Sequence, residues 1–309
     1  MKNDEKIYPG LRKSILLLVL FLLIYYLISS FAFFIIAVIE NFNLEAIGET
    51  FEMSMIEELI MEYHVQIGII SLIVPTIIIG GIILHKRETT FWQILCQNRD
   101  RLKFKLLLIL AVTTLLFIFF SSLTTSFIMI IFDLSESFAQ QAEEMGDIAR
   151  GFSGFLLVLI AAPLAEEFIF MGLFLEGIAS KHSAKVSIFA TALMFSIYHL
   201  NPLQMLHTFV LGLFLAYLYL KTRSLLLCIY VHFFNNLIPF LISQLELPEG
   251  YAQEAETALS ITFTDIIAYV LIIGLLIICL KYLKNYFNNI DINMNENREI
   301  DDAGNSIRS

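Results

Sequence analysis

Residues 152–175 read FSGFLLVLIAAPLAEEFIFMGLFL. Apart from Ser153, the only polar side chains in this stretch are the adjacent carboxylates Glu166 and Glu167. Its length and apolarity are those of a bilayer-crossing helix, which needs about 20 residues. A charged group at bilayer depth costs roughly 2.5–3.5 kcal/mol on insertion scales, so such residues face a protein interior or a wet cavity and mark a functional site. The stretch therefore predicts both a membrane fold and the place to look for chemistry.

Similar runs follow one another along the chain, at about 14–39, 66–84, 104–132, 152–175, 186–200, 203–220, 224–243 and 261–280. They predict an all-α polytopic membrane bundle of about eight transmembrane helices. Of the 309 residues, 58% are hydrophobic and 16% charged, against about 25% charged in soluble domains. The fifth and sixth runs are separated only by Asn201-Pro202, a turn pair. Residues 1–284 form the expected bundle, with a catalytic-type core at about 150–245. Residues 285–309, rich in Asn, Asp and Glu, read as a mobile acidic cytoplasmic tail.

The charges between the runs alternate in sign. Bases gather at Lys2, Lys6, Arg12 and Lys13, at Lys86 through Lys105, at Lys181 and Lys185, at Lys221 and Arg223, and at Lys281 and Lys284. The intervening loops are acidic: residues 40–65 hold seven Glu and no Lys or Arg. By the positive-inside rule both termini are cytoplasmic. The net charge of −10 is then an external acidic surface plus the tail. Nucleic acid is not an expected partner, because the bases are scattered and topogenic. The first apolar run exceeds a signal-peptide core, so no cleavable leader is expected. Cys96, Cys228 and Cys279 have no metal or redox spacing and read as free thiols. Two amphipathic segments, 42–64 and 89–103, suggest surface helices outside and inside the membrane respectively.

Beside the two acids, the polar residues within spans that carry the reading are His199, His232 and Asn236. Counting at 1.5 Å per residue from the nearest cytoplasmic charges or polar ends puts all three sites at overlapping depths of ~13–21 Å. His232 and Asn236 share one helix face at i,i+4, as do Phe195 and His199. Glu166 and Glu167 are about 100° apart around their helix and cannot have identical roles. Two acids, two imidazoles and an amide suit acid–base chemistry on a bound water, with Glu166 and His199 holding the water. His232 and Asn236 would face a developing oxyanion. His207 reads as an ordinary bundle hydrogen-bonder, Glu176 and His182 as solvated, and Tyr198 and Asn235 as neighbours pointing elsewhere.

The pattern Glu166-Glu167-x-x-x-Met171, Phe195-x-x-x-His199 and His232-x-x-x-Asn236 resembles that of the type II CAAX prenyl endopeptidases and their bacterial relatives, the CPBP or Abi intramembrane proteases. Order and spacing match over roughly residues 150–245. The resemblance implies an endopeptidase cleaving a membrane-associated or lipidated peptide, in which Glu166 and His199 activate water, His232 and Asn236 stabilise the oxyanion, and Glu167 supports. It implies a multi-pass protein of the plasma (cytoplasmic) membrane, and the composition suits a bacterial one. Members are described both as metalloproteases and as metal-independent glutamate proteases. Glu166, His199 and His232 form a plausible zinc set, yet HExxH is absent, so no cofactor is fixed. Where the family has Arg, this chain has Met171. Two other readings stay open: a non-catalytic peptide-binding immunity or scaffold relative, and a proton- or cation-coupled transporter.

Overall fold

A computed structural model of the chain describes residues 7–47, 54–132, 146, 149–245 and 262–306. Among these residues all regular structure is helical. The helices are α1 (Leu11–Ile47), α2 (Ser54–Arg87), the short α3 (Phe91–Leu95), α4 (Phe104–Phe132), α5 (Gly151–Ala179), α6 (Ala184–Tyr198), α7 (Pro202–Thr222), α8 (Leu225–Ser243) and α9 (Phe263–Ser306). Seven of them, all but α3 and α6, are long and apolar enough to cross a membrane. The chain is a multi-pass membrane protein.

All eight expected spans have a helical counterpart, but α6 has only 15 residues. That is about 22 Å of helix, short of a ~30 Å hydrocarbon core. It stops because Pro202 begins the next helix and Leu200 takes a left-handed conformation, φ 50°. Asn201-Pro202 is thus a true turn, and α6 and α7 pack along each other as a hairpin. The segment at 42–64 is shared between the end of α1 and the start of α2, with 48–53 outside the described residues. The segment at 89–103 forms α3, whose first turn is closed by a Thr90–Gln93 capping box. The region read as a tail from 285 continues α9 as helix to Ser306. Its first residues belong to the bundle, because Phe287 is 1% exposed and packs on Tyr217. Cys96, Cys228 and Cys279 are free.

α5 is the most enclosed of the spanning helices, and it is not uniform. Two π-helical runs, Phe155–Ala161 and Phe168–Leu175, flank a single α turn and a half at Ala162–Glu167. Pro163 supplies a local cause for the first: inside a helix it removes one hydrogen bond and its ring crowds the carbonyl four residues back, and a wider turn relieves that. Such wide turns occur frequently at functional sites. Close approaches fix the helix in place. A Cβ on Gly80 of α2 would meet the Phe168 ring at 2.7 Å, and one on Gly177 would collide with the Pro9 carbonyl.

Arg87 closes α5 from below. Its guanidinium donates to the carbonyls of Gly172 (3.2 Å) and Leu173, to Glu176 Oε2 (3.0 Å), and through Nε to the Tyr8 carbonyl. Tyr219 donates to Glu176 Oε1 at 2.9 Å, and Arg223 lies 3.6 Å from the same oxygen. This corrects the reading of Glu176 as solvated and of Arg87 as one more loop base. A cation at a helix end can fold back where a neighbouring helix offers a carboxylate and free carbonyls. With side chains only 7% and 15% exposed, removing one partner of this pair costs about 3–5 kcal/mol. Arg87→Met is therefore expected to lower the thermal midpoint of the detergent-solubilised protein markedly; an unchanged midpoint would show that the cluster carries no stability.

Candidate active site

Glu166 and Glu167 occupy the α turn between the two π runs of α5, and both are buried, Glu167 completely. His232 comes from α8 and stands between them. Its Nδ1 is 2.8 Å from Glu167 Oε1, and its Nε2 is 3.9 Å from Glu166 Oε2. His199 follows the last turn of α6, where its Nδ1 donates to the Phe195 carbonyl at 2.9 Å and its Nε2 also lies 3.9 Å from Glu166 Oε2. The structure thus brings two of the expected residues, His199 and His232, to one carboxylate oxygen of Glu166, with Glu167 on the far side of His232.

The i,i+4 relation of Phe195 and His199 now has a physical meaning. The helix carbonyl of Phe195 captures the imidazole, and the Phe195 ring, wholly buried, sits edge-on to both His199 and His232 at 5.0 and 5.9 Å. Tyr198 flanks His199 from the other side at 5.3 Å and reaches Phe170 and Phe21. Each imidazole is wedged between aromatic neighbours or a carboxylate, so neither rotates freely.

A carbonyl only accepts, so His199 carries hydrogen at Nδ1, and a neutral ring leaves a lone pair at Nε2. That lone pair faces Glu166 Oε2, which is buried and has no hydrogen-bond partner; neither has Glu167 Oε2. Unpaired polar atoms of this kind are costly inside a protein. Two acceptors 3.9 Å apart call for a donor between them. A water about 2.8 Å from each would subtend roughly 90°, which its geometry allows.

Zinc is a poorer fit. In kind the donors suit it, since both imidazoles bond an acceptor through Nδ1, the usual arrangement of metal-bound histidine. In spacing they do not: two ligands about 2.05 Å from a tetrahedral ion stand ~3.3 Å apart, against 3.9 Å here on both sides. No group of three His, Cys, Asp or Glu among the described residues is arranged to hold a metal ion. The trio as it stands matches a water molecule.

Asn236 does not join the acids directly. Its Nδ2 donates to the Val158 carbonyl of the first π run at 3.0 Å, and its Oδ1 accepts from Asn235 Nδ2 at 3.1 Å. Met171 is fully buried in apolar surroundings, so the cation expected there is absent. Glu167 faces His232, and the guanidinium of Arg87 sits further along α5, on the carbonyls of residues 172 and 173. Arg87 went unnoticed in the sequence because it looks like a topogenic base. The one available signal was its place at the end of a run that contains Pro75 and paired glycines, where helices come close.

Residues 149–238 match a family model described as Type II CAAX prenyl endopeptidase Rce1-like. The matched segment contains Glu166, Glu167, His199, His232 and Asn236. No curated protein and no solved structure matches the chain. The match supports the likeness drawn from the three motifs, and with it an intramembrane protease of the CAAX type at the level of the family.

The Glu167–His232 contact can be tested without a substrate. Glu167→Gln keeps an acceptor for Nδ1–H and is expected to leave the melting behaviour close to wild type. Glu167→Leu strands a buried N–H, at a cost of about 1–3 kcal/mol, and should melt clearly lower. Equal midpoints for the two variants would show that the hydrogen bond does not hold the site together.

Proposed function

We propose that the chain is an intramembrane endopeptidase that hydrolyses a peptide bond in a membrane-associated or lipidated peptide. The observation that carries this reading is Glu166 Oε2: buried, without a donor, and 3.9 Å from the Nε2 of both His199 and His232. A water in that space has a carboxylate to take one proton and an imidazole to orient it. Its oxygen attacks the scissile carbonyl carbon while Glu166 takes the proton, giving a tetrahedral intermediate. The intermediate collapses with cleavage of the C–N bond, and Glu166 returns the proton to the leaving amine. When the His232 ring carries its second proton, at Nε2, it presents a donor to the oxyanion, with the Glu167 carboxylate balancing its charge. The second hydrogen of Asn236 Nδ2 is the other donor.

In this reading both termini are cytoplasmic, the short α6 is the eighth crossing, and the protein lies in a bacterial plasma membrane. The transmembrane depth of the site suits a substrate held at the bilayer by its own apolar part. A second reading, a peptide-binding immunity or scaffold relative without turnover, is favoured by two features. Met171 stands where the family has Arg, and the Asn236 amide is already hydrogen-bonded to Val158.

Purified protein is given an internally quenched, farnesylated peptide, as wild type and as Glu166→Gln, with and without chelator. The expected result is chelator-insensitive cleavage by wild type and a loss of about 10²–10⁴-fold in kcat in the variant. Equal cleavage by both would remove Glu166 from the chemistry. Chelator-sensitive cleavage would restore the metal. Binding without cleavage by both would favour the scaffold reading.

A further inference from the structure

The bundle is hollowed between α5 and α8. An apolar groove of about 330 Å³ runs there, walled by Leu159, Ile160 and Leu164 of α5 and by Leu226, Ile229 and Phe233 of α8. The one hydroxyl in its lining is that of Tyr230, and it is already committed: it donates to the Leu107 carbonyl at 3.1 Å, with the ring packed on Phe234 at 4.7 Å. Leu102 completes the lining, between the 3₁₀ turn Arg99–Arg101 and the start of α4. Phe152, Leu156 and Ile160 form the exposed stripe of α5 at one-turn spacing, and Leu164 continues it. The groove therefore opens on a surface that faces lipid.

The lining decides what the groove can hold. A peptide laid along it would bring N–H and C=O groups to a wall without side-chain partners for them, and each would be costly. A hydrocarbon chain has no such groups and gains dispersion contacts on both walls. The rim decides what head group that chain carries. Arg101 and Lys103 are the chain neighbours of Leu102, one Cα–Cα step of about 3.8 Å away. Arg99 and Lys105 lie beside them, and Asp100 is the one acid in residues 99–105. Arg101 donates to the Lys221 carbonyl at 3.1 Å, and Lys105 lies over the Tyr282 ring at 5.9 Å. Arg99 and Lys103 are exposed and make no ion pair among the described residues. Trp92, 68% exposed at the same end, suits the level of lipid head groups. Two uncommitted cations at that level, next to an apolar groove, complement a phosphate whose chain runs along the helices.

We propose that the α5–α8 groove binds one anionic phospholipid of the bilayer, with an acyl chain between the two helices and the phosphate at Arg99 and Lys103. Basic pockets between membrane helices take anionic head groups in this way. The site uses none of the acids or histidines described above and does not rest on the proteolytic reading. It is nevertheless built against them. Leu159 and Ile160 belong to the first π run, whose Val158 carbonyl accepts from Asn236, and Ile229 and Phe233 lie within one turn of His232 on α8. The lipid chain thus packs against the two helices that hold the candidate site, where α5 has widened.

The chain has a single tryptophan, so lipid contact can be read by fluorescence. The full chain carrying Trp92→Phe and Phe233→Trp is placed in bilayers of phosphatidylglycerol and phosphatidylcholine, one or the other brominated on its acyl chains to quench a nearby indole. Phosphatidylglycerol is expected to be preferred at this reporter by about fivefold or more, the gain that one base near the surface gives an anionic lipid. A control reporter, Leu271→Trp on the exposed face of α9, should show no preference. Adding Arg99→Gln and Lys103→Gln should bring the preference at the groove close to one, while brominated phosphatidylcholine still quenches, which shows the groove intact. Equal quenching by the two lipids at the groove would overturn the proposal. So would the same preference at both reporters, which would mean attraction to the protein as a whole. Relief of quenching by equimolar farnesylated peptide, measured with Glu166→Gln so that nothing is cleaved, would give the groove to a substrate chain and overturn it as well.

Discussion

A carboxylate inside a membrane bundle has no bulk water to turn to, and that constraint organises this protein. Glu166 and Glu167 are adjacent on one helix, so they point to different sectors and must be met by different partners. Glu167 is fully buried and is met by the Nδ1 of His232. Glu166 is met on two sides by Nε2 atoms that stand too far for direct hydrogen bonds. The two acids differ accordingly: Glu167 is tied to a histidine through Oε1, and Glu166 has two imidazole nitrogens about one oxygen without a hydrogen bond to either. The helices carrying these groups, α5, α6 and α8, are packed as they must be to bring the groups to one depth.

The backbone of α5 is adapted to the same end. Two wide-turn runs bracket the acids, and each leaves carbonyls whose bonding is completed from elsewhere. The first run gives Val158 to Asn236. The second gives Gly172 and Leu173 to Arg87, whose guanidinium also holds Glu176. Helix irregularities at membrane depth survive where side chains satisfy the freed backbone groups. Polar side chains and irregular backbone thus depend on each other, and neither would be stable against a uniform apolar neighbour.

What the sequence made legible follows from how each feature is encoded. The spans, and the acids and histidines that come together, stood out in the sequence, because a polar residue in an apolar run contrasts sharply with its neighbours. Equal depth could be counted from 1.5 Å per residue. The Asn201-Pro202 turn was readable as chain punctuation. Arg87 and Glu176 were not: a base and an acid near helix ends look the same whether solvated or folded together, and their pairing depends on α2 meeting α5. The π runs were equally hidden, since Pro163 signals a disturbance without saying whether the helix bends, breaks or widens. For the amide of Asn236, position was legible and orientation was not, because orientation is set by Val158 and Asn235 rather than by its own helix face. The stretch from 285 looked like a tail on composition, yet Leu283 and Phe287 sit on the inner face of α9 at one-turn spacing, a signal that the surrounding Asn residues obscured.

Met171 then admits a physical account. An arginine at this position would place a guanidinium among Phe170, Leu173 and Phe174, all essentially without exposure, where a charge is stable only with a close partner. Glu167 already has His232, and the carbonyls and carboxylate further along α5 already have Arg87. Methionine instead fills the space without a charge and adapts to an irregular cavity, and Glu167 Oε2 is left without a hydrogen-bond partner. The cation associated with this helix comes here from α2, some distance along from the acids. The electrostatic partner of Glu167 is an imidazole that itself faces the unpartnered oxygen of Glu166. A charge change on that histidine is felt by both carboxylates at once, which a fixed guanidinium at 171 would have damped.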